Sequence, residues 1–220
     1  MSFSRALISR LAERHLLKHP FYKDWSEGKL TLDDLRVYAR QYFHHVAAFP
    51  RYLSATHSRC EDLSKRQILL ENLVDEEQGE RNHPELWLRF AEAVGCTREE
   101  VRDARLFPET KALVNTFFRL SSSSFEEGVG ALFAYEQQVP EVAKSKIEGL
   151  DRCYGIRDER ALDFFTTHLK ADEWHTEQTA SLLDSMTDEE RARAGRAAVE
   201  VSNALWGFLD GVQRNRMNAA

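Results

Sequence analysis

The sequence predicts an all-α fold, a bundle of about seven or more helices. Glycine and proline are scarce, with ten and five among 220 residues, so the chain has few of the breaks that a many-stranded fold requires. Apolar side chains recur every three to four residues along most of the chain, which is the period of a helix with one buried face. At this length we expect one domain that spans residues 1–220.

The composition argues against several classes of protein. A net charge of −6 disfavours nucleic acid as the main partner. The N-terminus lacks a signal-peptide core and no apolar run is long enough to span a bilayer, so we expect no membrane partner. The three cysteines (Cys60, Cys96 and Cys153) form no Cys-x-x-Cys pair, which indicates neither a disulfide framework nor a thiolate zinc site. A cytoplasmic location is therefore expected.

The first part of the chain is predicted to form two helices joined by an aromatic segment. Residues 3–18 have the apolar period of an amphipathic helix, which the His19-Pro20 pair ends. The aromatic segment that contains Tyr22 follows. Thr31 then begins a long helix, with Asp34 at the third position as the second member of a capping box.

The long helix carries a stripe of mostly aromatic side chains. Pro50 lies inside this helix and should kink it. Such a stripe is most often plain core, but the polar tips of most of its members also suit the wall of a pocket. The stripe comprises Tyr38, Tyr42, His45, Phe49, Tyr52 and Thr56.

Residues 62–83 are predicted to form the next helix, which Pro84 ends or restarts. Glu76 and His83 share its apolar face with leucines, although the acidic run around Glu76 is typical of a solvated surface. Shorter helices follow over residues 84–94, from Thr97 with Glu100 as a capping box, and over residues 108–120.

A long helix is predicted from Ser124 to about Leu150, with Glu136 in place of an apolar residue on its buried stripe. Pro140 cannot donate to the carbonyl group of Glu136, so it leaves a backbone acceptor beside this carboxylate. Lys146 lies on the same stripe, as a snorkelling stem or as an amine that faces a functional site. It lies about 15 Å along the helix axis from Glu136.

The segment Asp163–Glu177 carries the most specific pattern of the chain. It lacks proline and glycine, so we predict a helix there, and Thr187 with Glu190 caps the last helix after it. On a helix, His168, Asp172 and His175 lie at positions i, i+4 and i+7, within an arc of about 60°. Burial of these three side chains without partners would cost several kcal/mol, and a metal ion is the simplest compensation.

Three predicted helices thus place acidic or imidazole side chains on their buried faces. Three carboxylates and three imidazoles can hold two divalent metal ions, and mixed nitrogen and oxygen ligands suit iron or manganese. Taken singly, each of these residues is more often a hydrogen-bonded core residue than a ligand. The Glu-x-x-His pairs of ferritin-like bundles are missing, so the arrangement is a different one. The candidate ligands are Glu76, His83, Glu136, His168, Asp172 and His175.

At these residues the sequence resembles a known family. It is similar to the group of the chlamydial "protein associating with death domains", the CADD-like proteins, within the heme-oxygenase-like dimetal oxidases. Thiaminase II proteins and the pyrroloquinoline quinone synthesis oxidase have related scaffolds. The resemblance covers nearly the whole chain and rests on His19-Pro-Phe-Tyr22, Asp75-Glu76 with Asn82-His83, Tyr135-Glu136-x3-Pro140, and His168-x3-Asp172-x2-His175.

The resemblance implies a heme-oxygenase-like bundle that binds no heme and often forms a homodimer. It implies that the six candidate ligands hold two metal ions, iron or mixed iron and manganese, which activate O2 with the help of a reductant. It also implies the synthesis of para-aminobenzoate for folate without chorismate. In that family a tyrosine of the protein itself is thought to supply the ring and a lysine the amino group, and the matching positions are Tyr22 and Lys146.

Two other classes of function stay open. A metal-free enzyme on the same scaffold would be a thiaminase-like hydrolase or a cofactorless oxidase. Thiaminase II requires a cysteine nucleophile in its pocket, and the three cysteines here fall near predicted helix ends or loops. The third possibility is a purely partner-binding protein with a redundant site. Nothing in the sequence supports binding to death domains.

Overall fold

The computed structural model describes residues 1–217, except for the side chains of residues 170–173 and 217. These residues form eleven α-helices and two short 3-10 helices without a strand among them, which confirms the predicted all-α fold. No helix in this part of the chain combines the length and the apolarity that crossing a membrane requires. The α-helices are α1 (Phe3–Leu11), α2 (Pro20–Ser26), α3 (Leu32–Ser58), α4 (Leu63–Glu77), α5 (His83–Ala93), α6 (Arg98–Arg102), α7 (Pro108–Ser123), α8 (Phe125–Glu136), α9 (Val139–Tyr154), α10 (Glu159–Asp184) and α11 (Asp188–Met217).

The N-terminal helix is shorter than predicted. α1 ends at Leu11, and two 3-10 helices, Ala12–Arg14 and Leu16–Lys18, replace the last turns of the predicted helix 3–18. His15 separates them, and its Nδ1 accepts a backbone N–H two residues later at 3.3 Å. A side chain that bonds to the local backbone in this way offers an alternative to the helical ladder.

His19 fixes the start of the helix that carries Tyr22. Its Nδ1 accepts the backbone N–H of Phe21 at 3.0 Å, which caps α2. Its Nε2 lies 3.1 Å from Asp210 Oδ1 on α11. Because both ring nitrogens are engaged, the aromatic segment forms a short helix that is tied to the C-terminal helix.

α3 runs without interruption through Pro50 and forms one wall of the interior. The predicted capping box is present: the N–H of Asp34 donates to Thr31 Oγ1 at 3.2 Å, and the N–H of Thr31 donates to Asp34 Oδ2 at 2.7 Å. The mostly aromatic stripe of this helix is buried along its whole length.

The predicted helix 62–83 contains the whole of α4, and only its last residue belongs to the next helix. α4 ends at Glu77, and Gly79 adopts a φ of 78°, a left-handed conformation that glycine adopts without strain. α5 then begins at His83, capped by Asn82, whose Oδ1 accepts the N–H of Glu85 at 3.0 Å. Glu76 and His83 therefore lie on two helices and meet across the turn between them.

The predicted helix from Ser124 to Leu150 is also divided. α8 ends at Glu136 and α9 begins at Val139, with Pro140 in its first turn, where a missing N–H costs nothing. Gln138 occupies the break and is buried: its Oε1 accepts the N–H of Leu16 at 2.9 Å and its Nε2 donates to a carbonyl of α8 at 2.9 Å. Proline therefore starts a second helix here rather than kinking a single one.

α8 lies at the centre of the packing, and every residue from Gly128 to Glu136 is buried. Two glycines let other helices approach its backbone closely. A Cβ atom on Gly128 would lie 2.4 Å from Thr56 Oγ1 on α3, and one on Gly130 would lie 2.2 Å from the backbone oxygen of Ala194 on α11. The central position of α8 brings Glu136, at its C-terminal end, into the interior.

Candidate metal centre and adjoining tyrosine–lysine site

Three of the predicted metal ligands converge at one buried point. Glu76 from the end of α4, His83 from the start of α5 and His168 from α10 each offer a ligand atom, and these atoms all lie within 4.8 Å of one another. His83 Nδ1 lies 2.6 Å from Glu76 Oε2, and the ring centroids of His83 and His168 are 4.3 Å apart. None of the three is more than 4% exposed. His168 thus forms one candidate metal centre with Glu76 and His83, which lie 92 and 85 positions before it in the sequence.

The hydrogen bond of His168 determines which of its nitrogens can bind a metal. Its Nδ1 lies 2.7 Å from the backbone oxygen of Phe164. Since a carbonyl oxygen only accepts, Nδ1 carries the proton and Nε2 is the basic nitrogen. A histidine ligand is commonly held in this way through its other nitrogen.

Glu76 is held as a carboxylate. Burial alone would raise its pKa, but the adjacent His83, together with His168 and His175, lowers that pKa below its ordinary value. An ionised carboxylate beside basic imidazole nitrogens is a ligand set that suits iron or manganese.

Glu136 and His175 extend the site on either side. Glu136 is 2% exposed and accepts a hydrogen bond from Asn72 Nδ2 at 2.6 Å, and Asn72 lies one helical turn before Glu76 on α4. His175 is 3% exposed, and its Nε2 lies 3.1 Å from Asp75 Oδ2. All five predicted ligands with described side chains are thus buried. The side chain of Asp172 lies outside the described residues, and the assignment of the six ligands stays a prediction.

Lys146 is buried in a cage of aromatic rings near this centre. It is 3% exposed, and its Nζ lies between 5.0 and 5.5 Å from the centroids of five rings. Its Nζ donates to the hydroxyl of Tyr38 at 2.8 Å. Burial lowers the pKa of Lys146 to about 7, so a substantial fraction of the amine is neutral at neutral pH. The rings belong to Tyr22, Tyr38, Tyr42, Trp87 and Phe165.

Tyr38 joins Tyr22 to Lys146. The hydroxyl of Tyr22 lies 3.0 Å from that of Tyr38, which also contacts Lys146. Burial raises the pKa of both tyrosines, so both are phenols at neutral pH. A second pair, Tyr42 and Tyr135, has its hydroxyl oxygens 2.8 Å apart, and the ring of Tyr42 stacks on that of Tyr38 at 5.2 Å.

A small cavity, with room for about one water molecule, connects the two parts of the site. His168 lines it on the metal side, and Lys146 lines it on the side of the tyrosines. The remaining lining residues are mostly apolar, which keeps the space between them poorly hydrated. None of the residues that line this cavity is a cysteine.

Sequence reasoning missed the specific roles of Tyr38, Asn72 and Asp75. Tyr38 appeared only as one member of an aromatic stripe, and the contact that distinguishes it is made across the fold. Asn72 had a usable signal, because a polar residue four positions before Glu76 lies on the same helix face. Asp75 was hidden in the acidic run around Glu76, and it is 57% exposed at its side chain.

A buried cluster of carboxylate and imidazole side chains in an all-helical fold is typical of proteins that bind redox metals. The chain belongs to the family of iron-containing redox enzymes, whose model matches residues 36–207. This range contains the six predicted metal ligands and Lys146, and it begins after Tyr22. The predicted heme-oxygenase-like fold is thereby confirmed.

Two proteins named 4-aminobenzoate synthase are similar to nearly the whole chain. One, from Chlamydia muridarum, is 42% identical over 211 residues, which cover 96% of this chain and 89% of the relative. The other, from Nitrosomonas europaea, is 42% identical over 226 residues, which cover 97% of this chain and 92% of the relative. These relatives confirm the resemblance that the four motifs predicted.

A solved structure of a TenA homologue from Pseudomonas syringae superposes with a TM-score of 0.82. It is 19% identical and covers 96% of this chain and 93% of that chain. At this identity the likeness shows the fold that the two proteins share.

Proposed function

We propose that this protein is an oxygenase with a non-heme dinuclear metal site that activates O2 and makes 4-aminobenzoate (para-aminobenzoate). In this proposal Tyr22 of the protein itself supplies the ring and Lys146 supplies the amino group. The observation that carries the proposal is the joint burial of these two side chains. Both contact the hydroxyl of Tyr38, and Lys146 lines the same small cavity as His168. The names of the two bacterial relatives support the product.

The residues present fit the metal ions that the family implies. The donors are carboxylate and imidazole groups, the described ones are buried, and Glu76 is ionised. We propose iron, or mixed iron and manganese, as two divalent ions. When bound, they supply the oxidising chemistry that O2 and a reductant make available, and no heme takes part. The proposed ligands are Glu76, His83, Glu136, His168, Asp172 and His175.

The protein's own side chains prepare the amine and the phenol. Exclusion of water and the absence of a close carboxylate among the described side chains keep much of Lys146 neutral, with a lone pair available for reaction. The edge-on ring of Phe21 and the tilted ring of Trp25 fix the position of the Tyr22 phenol in a space that is closed to solvent. A protected, poorly hydrated cavity also limits side reactions of a strong oxidant.

The alternative of a cysteine-dependent hydrolase receives no support from the cavity. Cys60 and Cys96 follow helix ends, and Cys153 packs against Gly28 near the end of α9. A cofactorless oxidase differs from our proposal in its metal content. Elemental analysis of protein purified without oxygen distinguishes the two, with about two equivalents of iron or manganese expected per chain.

Isotope labelling tests the origin of the product. Protein made with ring-13C tyrosine and with 15Nζ lysine is loaded with metal, given O2 and a reductant, and its small-molecule products are weighed by mass spectrometry. We expect 4-aminobenzoate that carries both labels, in a yield of at most one per chain. Unlabelled product would show that the ring and the nitrogen come from elsewhere.

Tyr22→Phe is the matched test of the ring source. We expect it to abolish labelled product while the metal content stays unchanged, because phenylalanine fills the same space without the reactive hydroxyl. Tyr154→Phe, at the outer edge of the same aromatic cluster, serves as the control and is expected to keep the yield. Undiminished product from Tyr22→Phe would contradict the assignment.

We also propose that the protein is a cytoplasmic homodimer. The resemblance to the CADD-like family supports the dimer, and the three scattered cysteines without a Cys-x-x-Cys pair support a reducing cytoplasm. Light scattering at micromolar concentration is expected to give twice the chain mass of 25.4 kDa. A mass of one chain at that concentration would contradict the dimer.

A further inference from the structure

The hydroxyl of Tyr38 contacts both the hydroxyl of Tyr22 and the amine of Lys146. The distances are 3.0 Å between the two phenolic oxygens and 2.8 Å between Tyr38 Oη and Lys146 Nζ. Lys146 Nζ itself lies 5.5 Å from the centroid of the Tyr22 ring. The three groups therefore form a short chain of hydrogen bonds with Tyr38 in the middle.

The hydrogens of this chain can be placed in one consistent order. A neutral amine has a lone pair, so the contact between Tyr38 and Lys146 also accommodates donation from the Tyr38 O–H to Nζ. The Tyr22 O–H can then donate to Tyr38 Oη. In this order each hydroxyl donates one hydrogen, and the direction of donation runs from Tyr22 to Lys146.

Among the described side chains, Lys146 is the basic acceptor at the end of this chain of contacts. Among the side chains that the structure describes, no carboxylate lies within 4.0 Å of Lys146 Nζ. The imidazole of His45 is fully buried, and burial lowers its pKa to about 3, which makes it a poor base. The described titratable groups that face Lys146 are the phenols of Tyr22, Tyr38, Tyr42 and Tyr135 and the imidazoles of His45 and His168.

We propose that Tyr38 is a proton bridge, through which Lys146 receives the proton that Tyr22 gives up when its phenol is oxidised. The proposal rests on the proposed function, which supplies the oxidant from O2. It adds a second role for Lys146, which acts as a base in an earlier step than the one in which it supplies the amino group. The physical reason is that a phenol that loses an electron becomes a far stronger acid, and the amine of Lys146 is a base that can take its proton through Tyr38.

The transfer balances in atoms and electrons. One electron leaves Tyr22 for the O2-derived oxidant. The Tyr22 O–H bond breaks and its proton moves to Tyr38 Oη, while the hydrogen that Tyr38 carried moves to Lys146 Nζ. The products are a neutral phenoxyl radical at Tyr22, an unchanged phenol at Tyr38 and an ammonium group at Lys146.

Metal-free protein with 2,3,5-trifluorotyrosine at position 22 tests the bridge directly. This phenol is much more acidic than tyrosine, so its proton can be followed without oxidation. The pH titrations of its 19F signal and of the 13Cε signal of labelled Lys146 are recorded together. We expect both signals to report the same two steps, because bridged groups titrate as a pair.

Two variants identify the route. In Tyr38→Phe, which keeps the ring and removes the oxygen, we expect each signal to show only its own single step. In Lys146→Met, we expect the fluorinated phenol to titrate in one step at higher pH. Tyr52→Phe is the control, because Tyr52 lies further along α3, where its ring stacks on Phe117 of α7. This variant should leave the paired titration unchanged. Paired titration that persists in Tyr38→Phe would overturn the bridge, and so would a single step for each group in the parent protein.

The same variants are then examined in metal-loaded protein given O2 and a reductant. Peptide mapping by mass spectrometry is expected to show that Tyr22 is consumed at least ten-fold more slowly in Tyr38→Phe than in wild type, with equal metal content. Equal rates would overturn the role in oxidation. The titration needs neither metal nor O2, so failure of the bridge can be told apart from failure of 4-aminobenzoate synthesis, which the isotope experiment tests.

Discussion

At the scale of single residues, the candidate metal centre depends on hydrogen bonds to its ligands. Asn72 is 3% exposed and donates to Glu136 Oε1 at 2.6 Å. A partner of this kind fixes the orientation of a ligand, and its loss typically lowers metal affinity about 10- to 100-fold. Asn72 therefore belongs to the candidate site as a positioning residue, because its amide N–H donates to Glu136 and this nitrogen is not a metal ligand.

Asn72→Leu is expected to weaken the binding of Fe(II) or Mn(II) about 10- to 100-fold, because leucine fills a similar volume without the donor. The affinity is measured by titrating metal-free protein under anaerobic conditions, and circular dichroism reports that the fold is kept. Asn203→Leu, at an exposed position of α11, is the control. Wild-type affinity in Asn72→Leu would mean that Glu136 is oriented by other groups.

Lys146 makes the stability of the protein depend on pH in a defined direction. Its pKa in the folded protein is about 7, below the ordinary value of 10.5, because burial disfavours the ammonium form. Between these two values the unfolded chain binds the proton and the folded protein does not. The contribution of Lys146 to the free energy of unfolding therefore rises with pH in this window, by at most about 1.4 kcal/mol per pH unit.

Lys146→Met is expected to be more stable than wild type at pH 7, and this advantage should shrink by about 1 kcal/mol per pH unit between pH 7.5 and 9.5. Denaturant unfolding at several pH values measures the difference between the two proteins, which removes the contributions of all other groups. Lys144→Met, at an exposed position two residues away, should show no such slope. A constant difference would show that Lys146 is not buried as a largely neutral amine.

At the scale of elements, the close approach of α8 and α11 rests on Gly130. A Cβ atom there would lie 2.2 Å from a backbone oxygen of α11, and a backbone atom cannot rotate away. Gly130→Ala is therefore expected to destabilise the protein by about 1–3 kcal/mol, despite the better helix propensity of alanine. Gly207→Ala is the control, since nothing lies within 4 Å of a Cβ atom at that position, and it should be neutral or stabilising. Thermal unfolding measures both, and equal stability of the two variants would contradict the close packing.

At the scale of the whole molecule, the predicted metal ligands tie together helices that are distant in sequence. They come from α4, α5, α8 and α10. Metal binding should therefore stabilise the fold as a whole, because the unfolded chain does not keep these groups together. At a free metal concentration 100 times the dissociation constant, the gain is about 2.7 kcal/mol.

We expect Fe(II) or Mn(II) to raise the midpoint of thermal unfolding by about 5–10 °C for a chain of this size. Calorimetry under anaerobic conditions, with metal or with a chelator, provides the measurement. His83→Ala should lose the shift, while His57→Ala, at the end of α3, should keep it. A shift that survives in His83→Ala would place the stabilising metal elsewhere.

Much of the fold could be read from local patterns. The capping boxes of Thr31 with Asp34, of Thr97 with Glu100 and of Thr187 with Glu190 are all present where the sequence predicted them. Each depends on residues three positions apart, so the sequence contains the whole interaction. The stripes that placed Glu76, His83 and His168 in the interior are local for the same reason, and those residues are buried.

The two helix divisions were less accessible to such reasoning. The predicted helices 62–83 and 124–150 each contain a break in the structure, at residues 78–82 and at residues 137–138. The second break is held by Gln138, whose Oε1 accepts the N–H of Leu16, a residue 122 positions away. Helical periodicity continues across such a break because both helices bury a face toward the same core.

The sequence alone was enough to predict a helical chain, the burial of Glu76, His83, Glu136, His168 and His175, and the family resemblance. The packed helices were needed to show that the Tyr38 hydroxyl contacts both Tyr22 and Lys146 and that Asn72 donates to Glu136. The difference lies in the range of these contacts. Caps and stripes follow from backbone geometry within one or two turns, whereas the bond between Lys146 and Tyr38 joins residues 108 positions apart and exists only once α3 and α9 have packed into the same core.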